Sequence, residues 1–102
     1  MNQNQMMAQV RKMQADMAKA QEELASTLVV GTAGGDAVRV EMTCDYNVKS
    51  VKIAPEAIDP NDAETLEDLV TVAFNAAVAA AGETSSKRMG ALTGGMRIPG
   101  LG

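Results

Sequence analysis

The N-terminal segment carries an apolar seam whose spacing restricts it to a helix. Its members alternate at intervals of four and three residues: Met6, Val10, Met13, Met17, Ala20 and Leu24. A seam this narrow is typical of a helix that packs along one line, as in a coiled coil. We predict a helix from Gln3 to Thr27, about 37 Å long. A domain of 102 residues cannot cover such a helix along its whole length, so one end should protrude or pack on another chain.

The residues after this helix alternate in the manner of β-strands. A first strand begins at Leu28 and is followed by a strong turn signal at residues 34–36. A second strand is predicted over residues 38–44 and, after a turn at residues 45–47, a third over residues 48–53. Consecutive strands joined by short turns predict a three-stranded antiparallel meander.

A second long helix should complete the domain. Asp59 is the predicted N-cap, Pro60 the first helical residue, and Met89 the approximate end. Residues 90–102 contain five Gly and one Pro, which predicts a flexible tail. The fold class is therefore α+β in the order α-β-β-β-α, with long N- and C-terminal helices. We expect a single domain over residues 1–89 and a Gly-rich tail over residues 90–102.

The predicted core lies between the sheet and the second helix. Tyr46 and Phe74 are the only aromatic residues, so aliphatic side chains and Met must fill it. A core this small, together with the overlong first helix, predicts a tight homodimer. The residues expected to be buried are Val38, Val40, Met42, Val51, Ile53, Leu66, Leu69, Val70 and Phe74.

Residues suited to catalysis are scarce. The chain has no His, which removes the commonest general base and metal ligand. Cys44 falls on the apolar side of the second predicted strand, where a free Cys acts as a small buried hydrophobe. Residues 59–70 resemble a calcium loop only superficially, because Glu64 and Val70 occupy positions that require Gly and Glu. We predict no enzyme activity, catalytic residue, metal, cofactor or small-molecule substrate.

Membrane and export signals are also missing from the sequence. No apolar run approaches the roughly 20 residues that span a bilayer. Residues 1–10 lack the apolar core of a signal peptide, and a single Cys cannot form an intramolecular disulfide. We therefore expect a cytoplasmic protein without a membrane partner.

The charge is unevenly distributed. The net charge of −4 argues against a protein that coats nucleic acid by bulk positive charge. Six acids lie in residues 56–68 without a single Lys or Arg, and the other residues carry an excess of two positive charges. The bases can therefore still form local patches.

Two basic clusters stand out on the predicted helices. Arg11, Lys12 and Lys19 fall within an arc of about 100° on the first helix, nearly opposite the apolar seam. Lys87 and Arg88 lie near the end of the second helix. An ordinary solvated helix face explains either cluster equally well, and a cationic helix end also explains the second.

Several motifs resemble those of a known family. The most specific is Leu66-Glu67-Asp68-Leu69-Val70 followed by Ala73-Phe74-Asn75, and the ending Gly95-Met96-Arg97-Ile98-Pro99-Gly100 is similar too. With the Met- and Gln-rich first helix, these motifs resemble the YbaB/EbfC family of bacterial nucleoid-associated proteins over nearly the whole chain. The resemblance implies a tweezer-shaped homodimer with the long helices as arms. It also implies binding of double-stranded DNA in the nucleoid with little or loose sequence preference, and a role in chromosome organisation or gene regulation.

The chain departs from the family pattern in three places. Ala54 stands where the family often has Asp, and Asp45 replaces a common Gly. Residues 78–82 are uncharged where relatives often carry Lys or Arg, which weakens a DNA-binding role for the second helix.

An alternative is a protein-interaction module without DNA affinity, in which the Met seam or the Gly-rich tail would hold a protein partner. The predicted DNA-binding residues are Arg11, Lys12, Lys19, Lys87 and Arg88.

Overall fold

The computed structural model describes residues 2–92 and has the predicted α+β order. Its elements are α1 (Gln3–Leu24), β1 (Leu28–Ala33), β2 (Val38–Thr43), β3 (Val48–Ile53), a 3-10 turn (Pro55–Ala57) and α2 (Ala63–Leu92). The molecule is elongated, with principal extents of 70 × 28 × 16 Å. No helix within residues 2–92 is long and apolar enough to cross a membrane.

Helix α1 begins where predicted and ends three residues early. At its start the Asn2 side chain accepts the Gln5 backbone N–H at 2.8 Å, and the Gln5 side chain accepts the Asn2 backbone N–H at 3.2 Å, a reciprocal cap. At its end the backbone N–H of Cys44 donates to the carbonyls of Leu24 and Thr27 at 3.1 and 3.0 Å. Cys44, the residue after β2, thus satisfies two of the carbonyls left without a helical partner at the end of α1.

The three strands form one antiparallel sheet in the order β1-β2-β3, which confirms the predicted meander. Gly34, Gly35 and Asp36 all have positive φ, between 62° and 71°, the conformation for which Gly is best suited. The register of β2 and β3 shifts between Glu41 and Met42, leaving Lys49 as an extra residue in a bulge.

The β2–β3 turn is held by a buried hydroxyl. The Thr43 hydroxyl donates to the Asp45 carboxylate and accepts the backbone N–H of Asn47 at 3.1 Å. The bond from Thr43 is the main reason why the pKa of Asp45 lies below its usual value. Tyr46, at the apex, takes a positive φ of 68°. These contacts fix the turn that joins the two strands.

Helix α2 starts later than the sequence suggested. The Asp59 side chain accepts the Asn61 backbone N–H at 2.9 Å in a local turn, so the prediction of Asp59 as N-cap and Pro60 as first helical residue was wrong. Asp62 takes the capping position, because its carboxylate accepts the Thr65 hydroxyl at 2.6 Å and the Thr65 N–H at 3.2 Å. These two bonds lower the pKa of Asp62.

Helix α2 also ends later than predicted. It passes through Gly82 without a break and reaches Leu92, so residues 90–92, assigned above to the tail, belong to the helix. Residues 93–102 lie outside the described part of the chain. The flexible tail stays a prediction for those residues.

Helix α2 lies across β1 and β2 and approaches β1 unusually closely. A Cβ atom added to Gly31 would lie 2.2 Å from the Ala73 carbonyl oxygen and 2.3 Å from the Ala77 nitrogen. Ala73 and Ala77 are completely buried at this contact. The helix therefore presents small Ala side chains to Gly31, which has no side chain. The backbones of α2 and β1 consequently lie almost in direct contact.

The core confirms most of the predicted residues and corrects one. Three of them are buried: Val38, Val40 and Met42. Five others are partly buried and pack against them: Ile53, Leu66, Leu69, Val70 and Phe74. Val51, however, is 42% exposed, so its predicted burial was wrong for the single chain. It shares a sheet face with its partner Val40, but α2 lies over β1 and β2 and leaves β3 less covered.

Candidate nucleic-acid interface

The two long helices lie side by side and form an arm, defined here as α1 with residues 82–92 of α2. The Arg88 guanidinium contacts the Glu23 carboxylate, with Nη2 at 2.8 Å and Nε at 3.3 Å from the same oxygen. Farther out, Leu92 borders a small cleft that is also lined by Lys12, Met13 and Asp16. The helices are therefore antiparallel, and α1 continues beyond residue 92 toward its own N-terminus.

The apolar seam of α1 is only partly covered within the chain. Ala20 and Leu24 are buried, and Met13 is half-buried. Met6 and Val10 are 56% and 55% exposed. The outer half of the seam thus remains open to solvent in the single chain.

The three cations of α1 stand on the solvent side of the arm. Arg11, Lys12 and Lys19 are all exposed, and α1 is continuous through them. Within residues 2–92 none of the three forms an ion pair. Because 3.6 residues make a helical turn, their side chains share one face of α1, away from the seam. This face offers an anionic partner three positive charges that form no ion pair, and Glu22 and Glu23 lie on the same face farther along α1, so the positive charge is concentrated around Arg11 and Lys12.

The two cations of α2 are arranged differently. Lys87 lies 3.1 Å from Glu83 of the preceding turn, and both side chains are well exposed. Arg88 bridges to Glu23 of α1 and so links the two helices of the arm. Each charge is offset by a carboxylate, although exposed pairs of this kind contribute at most about 1 kcal/mol. The structure therefore separates Lys87 and Arg88 from the uncompensated cations of α1.

A further cationic group lies on the sheet, and the sequence analysis missed it. Arg39 of β2 is directly opposite Lys52 of β3, and Thr32 of β1 is opposite Arg39. Arg39 and Lys52 are both exposed. We call these three residues the basic row. In the sequence they were only polar positions of three separate strands, and the register that brings them together is set by the tertiary structure.

Comparison with known proteins assigns the chain to a family. Residues 1–96 match the sequence profile of the YbaB/EbfC DNA-binding family. The chain belongs to this family. A nucleoid-associated protein of Chloroflexus aurantiacus is 48% identical over 97 residues, covering 95% of this chain and 97% of the relative. One from Alkaliphilus metalliredigens is 49% identical over 100 residues, covering 98% and 88%.

A solved structure agrees with the fold of this YbaB/EbfC family member. An uncharacterized protein from Helicobacter pylori superposes with a TM-score of 0.74 at 18% identity, covering 85% of this chain and 91% of that one. At this identity the match supports the fold alone. The resemblance drawn from the sequence motifs is confirmed, and the family and the relatives' names indicate a DNA-binding protein rather than an enzyme.

The other chemically notable features of this family member are Cys44 and the acidic segment, residues 56–68. Cys44 is buried, as predicted, and behaves as a small core residue. The six acids between Glu56 and Asp68 are all exposed. No cluster of His, Cys, Asp or Glu in residues 2–92 is arranged to hold a metal ion. The acidic segment is a surface that phosphate would avoid, because like charges repel.

Proposed function

We propose that this protein binds double-stranded DNA as a homodimer, through the cationic face of α1 and with little sequence preference. The observation that carries the proposal is the set of exposed cations without ion pairs, Arg11, Lys12 and Lys19, on the arm of a YbaB/EbfC family member. Two relatives described above are named nucleoid-associated proteins. We infer a place on the chromosome, which the protein organises and where it affects the expression of nearby genes.

Weak sequence preference follows from the chemistry of the arm. Long Lys and Arg side chains reach phosphates, which fix the position of a protein on DNA but carry no base information. Base stacking would need exposed aromatic rings on a cationic face. Tyr46 lies in the β2–β3 turn and Phe74 is half-buried against the core, so neither ring belongs to the cationic face of α1. Affinity should therefore arise mainly from release of counterions.

Lys87 and Arg88 remain part of the proposal in a secondary role. To contact phosphate, each side chain must either break its ion pair with a glutamate or contact the glutamate and the phosphate at the same time. The exchange costs little because the pairs are exposed. We therefore assign the primary contacts to α1 and the supporting contacts to these two residues.

The test of DNA binding is a salt series with the intact protein. Fluorescence anisotropy on three unrelated duplexes should give nearly equal affinities at each salt concentration. With four to six phosphate contacts from the arms, the slope of log affinity on log salt should be about −4 to −5, and further contacts would steepen it. Strong preference for one duplex, or binding independent of salt, would contradict the proposed mode.

The homodimer is supported by apolar surface that the single chain leaves open. Met6 and Val10 on α1 and Val51 on β3 are each more than 40% exposed. Burying large apolar side chains stabilises an assembly by roughly 1.5–3 kcal/mol for each one fully covered. A second copy would cover such surface and would also present a second set of α1 cations to the duplex.

Light scattering coupled to size exclusion tests the dimer. At micromolar concentration the mass should be twice the 10.6 kDa of one chain. Val51→Asp should shift the mass toward one chain, because a carboxylate at a covered apolar position loses its hydration. Lys49→Asp, which places the same charge on β3 at the bulge, is the matched control and should remain dimeric. A wild-type mass of one chain would refute the dimer.

A second candidate function is a protein-interaction module. The outer half of the seam supports it, because Met6, Met7 and Val10 border an open groove on α1, and exposed Met can adapt to different partners. The two functions differ in what they require. DNA binding depends on Arg11 and Lys12, whereas capture of a protein by the seam depends on the Met side chains. Failure to bind any duplex in the salt series would favour the second function.

A further inference from the structure

The basic row places two positive charges side by side on the solvent face of the sheet. Along β2, Val38 and Val40 are completely buried on the side covered by α2. Side chains alternate along a strand, so Arg39, which lies between them, points to the opposite face. Its partner Lys52 shares that face, because residues directly opposite in an antiparallel pair point the same way.

This arrangement should cost stability, and no salt bridge within residues 2–92 offsets it. Like charges directly opposite each other in a sheet are destabilising, and neither Arg39 nor Lys52 forms an ion pair. Glu41 lies two residues along β2 on the same face, but its carboxylate accepts the Ser50 hydroxyl at 2.9 Å and pairs with neither cation. The two charges are therefore available to an external anion.

Protection of a sheet edge explains only half of the pair. Lys residues on edge strands prevent unwanted pairing with other chains, and β3 is at the edge of this sheet. That argument accounts for Lys52. It does not account for Arg39, because β2 is the central strand and both of its edges are already paired.

We propose that the basic row is a second surface for the phosphate backbone of DNA, separate from the arm. Cβ atoms of directly opposed residues are about 5 Å apart, so the two cations can reach one phosphate together. The planar guanidinium of Arg39 suits two-pronged contact with phosphate oxygens, and the Thr32 hydroxyl adds a donor beside it. The row rests on the proposed DNA binding and adds contacts that fix position without reading sequence.

Variants that remove these charges test the row in the intact protein. Because both cations of a row contact one phosphate, a dimer of R39Q/K52Q would lose two phosphate contacts, so the salt dependence on random duplex should become less steep by about 2 and binding should weaken about tenfold or more at about 0.1 M salt. The thermal stability of this variant should equal or exceed that of the wild type, since the repulsion is gone. Lys49→Gln is the matched control for Lys52→Gln, because each removes one charge from β3 and only Lys52 lies opposite Arg39.

The outcomes separate the row from the arm. If R39Q/K52Q keeps the wild-type salt dependence while loss of the α1 cations weakens binding, the row is not a DNA surface and the proposed function stands. If Lys49→Gln weakens binding as much as Lys52→Gln, bulk charge explains the effect and the row is again refuted. If the wild type binds no duplex, the proposed function and the row fail together.

Discussion

Replacing Arg11 and Lys12 with Ala should weaken DNA binding at least 100-fold at about 0.1 M salt, equally on all duplexes. A dimer would lose four uncompensated cations in this variant. Each phosphate contact contributes about 0.9 to the salt dependence of log affinity, so the slope should become shallower by about 3 to 4. The loss should be uniform across sequences because these side chains contact phosphate rather than bases.

The matched control is the double variant Q9A/Q14A. Gln9 and Gln14 flank the two cations on α1 and are exposed, and their replacement by Ala keeps the charge while slightly favouring helix. Both double variants should keep the wild-type dimer mass and helical circular dichroism. Only R11A/K12A should lose affinity. Wild-type affinity with an unchanged slope in R11A/K12A would show that the α1 arm is not the DNA surface.

Replacing Gly31 with Ala should destabilise the fold by about 3 kcal/mol or more, toward the upper end of the cost of overpacking. The added Cβ would lie 2.2 Å from the Ala73 carbonyl oxygen, 2.3 Å from the Ala77 nitrogen and 2.9 Å from the Ala77 Cα. All three atoms belong to the backbone of α2, so no side-chain rotation relieves the overlap. The helix must move away from β1, and the buried Ala contacts must open.

Thermal unfolding by circular dichroism measures this effect. For a domain near 100 residues, 3 kcal/mol corresponds to a fall of about 12–24 °C in Tm, provided that protein concentration is held constant because a dimer is expected. Gly90→Ala is the matched control, since it lies in α2 and an added Cβ meets no atom within 4 Å. That change should leave Tm the same or raise it slightly. A Tm for Gly31→Ala close to the wild type would refute the backbone contact.

The Gly31 contact and the cations of the arm belong to connected parts of the same structure. Gly31 lets α2 lie directly on the sheet, and the far part of α2 then runs beside α1 and contacts it through Arg88 and Glu23. The position of the arm thus depends on a contact in the body. A variant such as Arg11→Ala acts at the surface alone, and its effect on DNA binding should be independent of stability.

The sequence determined the local elements of this protein well. The start of α1, the bounds of β3 and the meander all followed from patterns of period 3.6 or 2 and from turn residues. The exposure of Arg11, Lys12 and Lys19 also followed, because a helical position fixes which face a side chain occupies. Each of these features depends on residues that are only a few positions apart in the chain, so a local sequence pattern is enough to predict it. The family resemblance rested on motifs of the same local kind.

Other features were decided only when distant segments met. The carbonyls at the end of α1 are satisfied by the Cys44 N–H, 20 residues beyond Leu24. Val51 is exposed because α2 lies over β1 and β2, and the burial of Ala73 and Ala77 depends on the missing side chain at Gly31. Arg39 and Lys52 lie opposite each other because of the register between β2 and β3, and a slip of one residue would separate them. Periodicity shows which face of an element is apolar, but only tertiary packing determines which element covers that face and which charges it brings together.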